Sequence, residues 1–277
     1  MKTNKNKKKV KIGLALSGGG WRGLAHVGVL KVLEKYNIPI DLIAGSSAGA
    51  LFGGLYSYYG NSKDLEEFII KFGYRDLFKI IADPKLKSGL IKGRNMIKYL
   101  NKHTEKALIE DLKVPFTAVA SDVLTAKSYY FKKGNLSEAI KTSASIPLLF
   151  QPTIKGDMVL IDGGATENVP VRCAKDMGAD IVIAVSVNTA YFPLEKSQVK
   201  TSTNLAVASA RTVLDRFSEI LSNEADITIK PKISKKKVEV GISYFLEFVR
   251  EKDIIKTGEK AAEDKIEEIM KVLNAQK

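Results

Sequence analysis

The sequence predicts an α/β fold built on a central, mostly parallel sheet. Three observations carry this expectation. Largely apolar runs lie at 10–16, 41–44, 115–122 and 181–187, the pattern of strands covered on both faces. Helical patterns follow the first two runs, at 24–36 and 48–59. The joints between strand and helix, at 17–23 and 45–49, are rich in glycine. A strand–helix–strand–helix order argues a doubly wound sheet with ligands at the C-terminal ends of its strands.

Each element has its own reason. Strand 10–16 is bounded by glycines, and helix 24–36 places Leu24, Val27, Leu30, Val32 and Leu33 at core-facing spacing until Asn37-Ile38-Pro39 stops it. An amphipathic helix is expected at 64–72, a Lys-, Gly- and Pro-rich loop at 83–93 and a helix at 94–103. A short strand at 128–131 precedes a turn at 132–135. Helix 137–145 is read as capped by Ser137 with Glu138 in its first turn. Runs 151–154 and 158–161 form a hairpin around Lys155-Gly156-Asp157. Then follow a helix at 171–177, a loop at 191–202, a long helix at 205–224 and a strand at 226–230 ended by Pro231. Lys235-Lys236-Lys237 reads as a solvated turn, and one helix at 252–275 carries Ile254, Ile255, Ala261, Ile266, Ile269, Met270 and Leu273 on a stripe. No repeat or Gly/Ser linker divides the chain. The expected organisation is a disordered basic arm at 1–9 and a single domain at 10–277, its motif-bearing core at 10–190 followed by a helical extension.

Composition bounds the partners. The 277 residues carry a net charge of +13, which favours nucleic acid, an anionic membrane surface or acidic small molecules, or reflects a lysine-rich solvated surface. No recognised nucleic-acid module accompanies the lysines, so none is expected as a partner. Six of the first eleven residues are lysine. The stretch after them is broken by a glycine triplet, Trp21-Arg22 and His26, so it is no signal-peptide core. No run of about 18 apolar residues suggests a membrane span. The single cysteine, Cys173, excludes an internal disulfide and argues against a Cys-based metal site. A cytoplasmic location follows, with peripheral contact at the inner membrane surface, and neither cofactor nor metal is expected.

Three motifs carry the chemistry. Gly45-Ser46-Ser47-Ala48-Gly49 is a G-x-S-x-G between a strand and a helix, the pattern of a nucleophile elbow that presents Ser47 on a tight turn. Gly18-Gly19-Gly20-Trp21-Arg22-Gly23 is a G-x-G-x-x-G. It fits a dinucleotide site or, with backbone N–H groups at a helix start, an oxyanion hole. Asp41 has the separation of a ribose-binding acid but sits at the start of its strand, at the wrong edge of the sheet. Arg22 either faces an anionic head group or braces the loop. A serine hydroxyl needs a base, and the chain has only two histidines, His26 and His103. Both lie within helical patterns, away from glycine turns. Asp162, which ends an apolar strand before Gly163-Gly164, offers a carboxylate base instead.

These three blocks, in this order, resemble the signature blocks of the patatin-like phospholipase family. A fourth block at 142–152, Thr-Ser-Ala-Ser-Ile-Pro-Leu-Leu-Phe-Gln-Pro, agrees. Similarity runs from about Val10 to Val187, and the strand at 226–227 and helix at 258–262 resemble the tail of compact bacterial members. The resemblance implies a patatin-like three-layer α/β/α fold and acyl-ester hydrolysis of lipids by a Ser-Asp dyad through an acyl-enzyme. It implies Ser47 as nucleophile and Asp162 as base. Gly18, Gly19, Gly20 and Gly23, with Arg22 among them, would form the oxyanion loop, and Gly45, Gly49, Gly163 and Gly164 would support the turns. The substrate it implies is a phospholipid, lysophospholipid or other fatty-acyl ester. Two other readings stay open: a lipid-binding or regulatory protein of the same fold with little turnover, and a nucleotide-binding oxidoreductase. The segment 74–100, with Phe78, Ile80, Ile81, Leu86, Leu90, Ile91 and Met96, is read as lining or covering an acyl pocket, or as plain core.

Overall fold

A computed structural model of the chain describes residues 10–83, 91–188, 196–233 and 242–275. The basic arm, Leu86, Leu90, the loop at 191–195 and the Lys235–Lys237 turn lie outside these residues. In chain order the strands are β1 (Ile12–Leu16), β2 (Leu42–Ser46), β3 (Phe116–Asp122), β4 (Lys127–Phe131), β5 (Thr153–Lys155), β6 (Met158–Asp162), β7 (Ile181–Val185) and β8 (Ile227–Ile229). The helices are α1 (Leu24–Lys35), α2 (Ala48–Tyr59), α3 (Ser62–Lys71), α4 (Tyr74–Ile81), α5 (Arg94–His103), α6 (Leu136–Ser143), α7 (Gly164–Glu167), α8 (Val171–Asp176), α9 (Ser202–Ser222), α10 (Ile242–Arg250), α11 (Ile254–Glu263) and α12 (Ile266–Asn274).

The strands form one sheet in the order β5-β6-β3-β2-β1-β7-β8, with β4 paired to β3. The five strands β3, β2, β1, β7 and β8 run parallel, and β4, β5 and β6 are antiparallel additions. The central strands β1, β2 and β7 are buried along their whole length, as their unbroken apolar runs require. Alternate residues point to opposite faces. Leu14, Leu16, Ile43 and Val185 pack into a core with α1, α2, α3 and α6, while Ala15, Leu42, Ala44 and Ala184 pack with α8 and Leu221 of α9. Helices thus cover both faces, the layering that the sequence predicts.

The register of β3 positions the site. Its first half pairs with β2, ending at Ser46 opposite Val119. Its second half pairs with β6, beginning with Asp162 opposite Ala120. Because β4 spans residues 118–122 on the other edge, β2 and β6 lie end to end along one edge of β3. The last residue of one strand therefore meets the last residue of the other.

Several expectations are corrected. Helix α6 starts at Leu136 and is capped by Asn135, whose side chain accepts the Glu138 N–H at 3.0 Å, so Ser137 lies inside the first turn. The single C-terminal helix is two. A turn at Asp264 and Lys265 separates α11 from α12 and lets Ile266 and Ile269 bury against the core. Helix α11 crosses α1 at closest backbone approach. A Cβ on Gly28 would fall 1.9 Å from the Ile255 carbonyl oxygen, and one on Gly258 would fall 2.0 Å from that of Ala25. Helices α4 and α10 were not expected from the sequence. The end of α4 is completed by another element: Asn95 Nδ2 donates to the carbonyls of Lys79 and Ala82. Among the described residues, no helix is long and apolar enough to cross a membrane.

Candidate active site

The elbow follows from its glycines. A Cβ on Gly45 would sit 2.4 Å from the Gly49 carbonyl oxygen, and one on Gly49 would sit 2.0 Å from that of Leu16, so only glycine lets the turn close this tightly. Ser47 itself holds φ 52° and ψ −116°. A non-glycine residue in such a conformation costs about 1–3 kcal/mol, and such strain clusters at functional sites. The surroundings fix it. Ser47 N–H donates to Ser143 Oγ at 2.9 Å, and Ser143 Oγ donates in turn to the Val119 carbonyl at 2.5 Å.

Ser47 Oγ donates to Asp162 Oδ2 at 2.6 Å, and Gly164 N–H donates to Asp162 Oδ1 at 2.8 Å. Asp162 is 9% exposed. Burial pushes its pKa up to about 6, against the downward pull of the Ser47 hydroxyl and the Gly164 N–H. A carboxylate poised there is ionised at neutral pH yet basic enough to take a proton. The main chain of the same turn is tied to α6: Asp162 N–H donates to Ser145 O, and Gly163 N–H donates to Ser143 O. Ser143 therefore holds the nucleophile with its side chain and the Asp162 turn with its carbonyl. The 142–152 motif contains Ser143 but by itself assigns it no role. The available signal was a run of small hydroxyl residues closing a helix.

The glycine loop divides its labour. Gly18 N–H donates to Asn168 O at 3.0 Å, so its amide is spent on the turn rather than facing a substrate. Gly20 and Ala48 line a pocket together with Ser47. Gly23 lies against Ala48 and Phe52. Arg22 braces the loop: its guanidinium donates to Gly19 O at 3.5 Å and Asn188 Oδ1 at 3.3 Å, and stacks 5.3 Å from the Trp21 ring. Asn168, also without an assigned role in the sequence reading, donates through Nδ2 to Ser218 Oγ at 2.6 Å and ties this corner to α9.

Neither histidine serves Ser47. His26 is fully buried, donates through Nε2 to Ser17 O at 2.9 Å, and is pushed down to about 4 by burial, which keeps it neutral. His103 packs on the rings of Phe68 and Tyr99. Asp41 accepts the Ile12 N–H at 2.9 Å, at the opposite end of β1 from the glycine loop. It thus braces the N-terminal ends of β1 and β2 and is no ribose ligand. Among the described residues no group of His, Cys, Asp and Glu could hold a metal ion.

Ser47 opens into a pocket whose walls are almost wholly apolar, among them Leu51, Phe72, Leu77, Met96, Phe150 and Phe245. Of the residues named from the sequence, Ile80 and Met96 line it. Ile81 and Ile91 pack in the small cluster beside it, and Phe78 is exposed. The α10 residues Phe245 and Phe248 complete the wall.

This geometry defines a class: α/β proteins that carry a serine on a strand-to-helix elbow beside a buried carboxylate instead of a histidine. The comparison with known proteins is specific. A family model described as patatin-like phospholipase matches residues 14–175, and the chain belongs to that family. An uncharacterised NTE family protein of Mycobacterium tuberculosis (strain H37Rv) is 32% identical over 221 residues, covering 74% of this chain and 61% of that protein. The lysophospholipase nte1 of Emericella nidulans is 31% identical over 186 residues, covering 64% of this chain and 12% of that protein. This chain therefore spans only part of the length of either relative. Among solved structures, VipD from Legionella pneumophila aligns over 97% of this chain and 67% of its own, with a TM-score of 0.49 and 13% identity.

Proposed function

We propose that the protein is a lipid acyl hydrolase in which Ser47 and Asp162 act as a catalytic dyad. The observation that carries the reading is the 2.6 Å Ser47–Asp162 hydrogen bond at the end of an apolar pocket. Family membership and the similarity to a lysophospholipase support the substrate class. In the proposed reaction Asp162 Oδ2 takes the Ser47 proton as Oγ attacks the acyl carbonyl. The oxyanion is held by the N–H groups of Gly19, Gly20 and Ala48, at the starts of a short helical turn and of α2. Asp162 then returns the proton to the departing alcohol, leaving an acyl group on Ser47. Water attacks that ester, with Asp162 again as base, and releases the fatty acid. The apolar pocket holds the acyl chain and excludes water from the carboxylate, which keeps Asp162 basic. Arg22 supports the loop rather than the oxyanion.

The test is turnover of a lysophospholipid followed by mass spectrometry. Wild type releases fatty acid, while Ser47→Ala and Asp162→Asn lose at least about three orders of magnitude, in line with loss of a nucleophile or its base. Full activity in Ser47→Ala defeats the reading. A folded wild type that binds lipid but neither turns it over nor reacts with a fluorophosphonate favours the lipid-binding alternative.

A further inference from the structure

We propose that the outer face formed by α4, the end of α3 and the loop at Leu148 docks on an anionic lipid bilayer and brings the pocket mouth to it. The proposal rests on the hydrolase reading, which it extends to the physical form of the substrate. Four large apolar residues stand in water around the pocket wall. Ile70 follows the lining residue Ile69, Phe78 follows Leu77, Tyr74 lies one turn before Phe78, and Leu148 falls between Ile146 and Phe150. Phe78 is 54% exposed and Leu148 71%. Leu148 also holds φ 71°, a strained conformation for a bulky residue. Despite that strain, the leucine stands in solvent between two residues that line the pocket. Behind this face, Leu77, Phe150 and Phe245 belong to one apolar cluster, so α4, the loop and α10 pack against one another.

Charge selects the partner. On α4 the exposed Tyr74 and Phe78 lie beside the exposed Arg75 and Lys79, with Leu77 turned inward. An apolar stripe flanked by cations is the pattern of a helix lying in a membrane interface. The described residues of 71–103 carry seven Lys and Arg against two Asp; Asp76 accepts the Gly73 N–H and pairs with Lys79, and Glu67 of α3 pairs with Lys71, which still leaves a positive excess on this side. An anionic lipid surface complements this field.

The experiment is co-sedimentation of the full chain with vesicles of phosphatidylcholine mixed with phosphatidylglycerol, compared with pure phosphatidylcholine. Wild type and Ser47→Ala should bind the mixed vesicles alike, and salt should weaken both. Tyr74→Ser/Phe78→Ser should bind about tenfold more weakly, since each loses an inserted ring, while hydrolysing water-soluble p-nitrophenyl butyrate as wild type does. Equal binding by the double variant, or equal binding to neutral and mixed vesicles, overturns the proposal. So does a loss confined to Val213→Ser/Ile220→Ser, which removes exposed apolar residues of α9 instead. If no variant hydrolyses any ester yet the binding pattern holds, the hydrolase reading fails and the docking face stands.

Discussion

Asp162→Asn should destroy activity and at the same time stabilise the fold at neutral pH. Asp162 is buried, and its pKa is raised from 3.8 to about 6, chiefly by desolvation. A displacement of roughly two pH units corresponds to about 3 kcal/mol between the two protonation states. Its sign is the reverse of an ion-paired carboxylate. Folding holds the proton more tightly than the unfolded chain does, so this contribution is fully present below the unfolded pKa and is lost as pH rises through about 6. Above that pH the wild type bears the cost of a buried charge, and the asparagine variant does not. The substitution also fits the hydrogen bonds. An asparagine oxygen can accept from Gly164 N–H where Oδ1 now does, and its NH2 can donate to Ser47 Oγ. For a chain of this length about 3 kcal/mol corresponds to a Tm rise of roughly 5 °C or more. Differential scanning calorimetry of both proteins from pH 4 to pH 8 reads it directly. The variant's advantage should be near zero at pH 4 and reach its full value above about pH 6. A variant less stable than wild type at pH 8, or a difference that does not change with pH, refutes the reasoning.

Other consequences follow from the same geometry. Ser47→Gly and Ser47→Ala both lose the hydroxyl, but only glycine relieves the φ 52° strain. The glycine variant should therefore be the more stable by about 1 kcal/mol in denaturant unfolding. Ser143→Ala leaves the buried Ser47 N–H without its acceptor. It should cost about 1–3 kcal/mol of stability and lower kcat by tenfold or more with KM unchanged, while Ser143→Thr restores part of both. Because the base must be ionised, kcat/KM should rise about tenfold per pH unit below pH 6 and level off above it, a limb set by the raised pKa of Asp162.

The elements that hold the site were legible because their cause is local. The β2–elbow–α2 passage is written in an apolar run, two glycines and a helical pattern, and the turn after Asp162 in the two glycines that follow it. The end-to-end placement of β2 and β6 along β3 was not legible, since nothing local reports which edge of a strand a distant hairpin will take. Segment 74–100 was legible as a pocket wall, but the helix at its start was not, for a related reason. Helix α4 has eight residues, and its C-terminal carbonyls are satisfied by Asn95 from α5, a partner that exists only in the fold. The cap of α6 is Asn135 rather than the expected Ser137. Asn135 wins by standing three residues before Glu138, whose N–H it accepts. Arg22 offered two roles in sequence, and only the placement of Asn188 and the Gly19 carbonyl beside it distinguishes a brace from a substrate contact.

The central claim is that Ser47 becomes acylated with Asp162 as its base. Peptide-level mass spectrometry of the protein, acid-quenched during turnover of a lysophospholipid, tests it most directly. The account predicts a fatty-acyl ester on Ser47 in the wild type, its absence in Ser47→Ala, and its formation at least about a thousandfold more slowly in Asp162→Asn. An acyl group on another residue, or undiminished acylation of Ser47 without the Asp162 carboxylate, would contradict it.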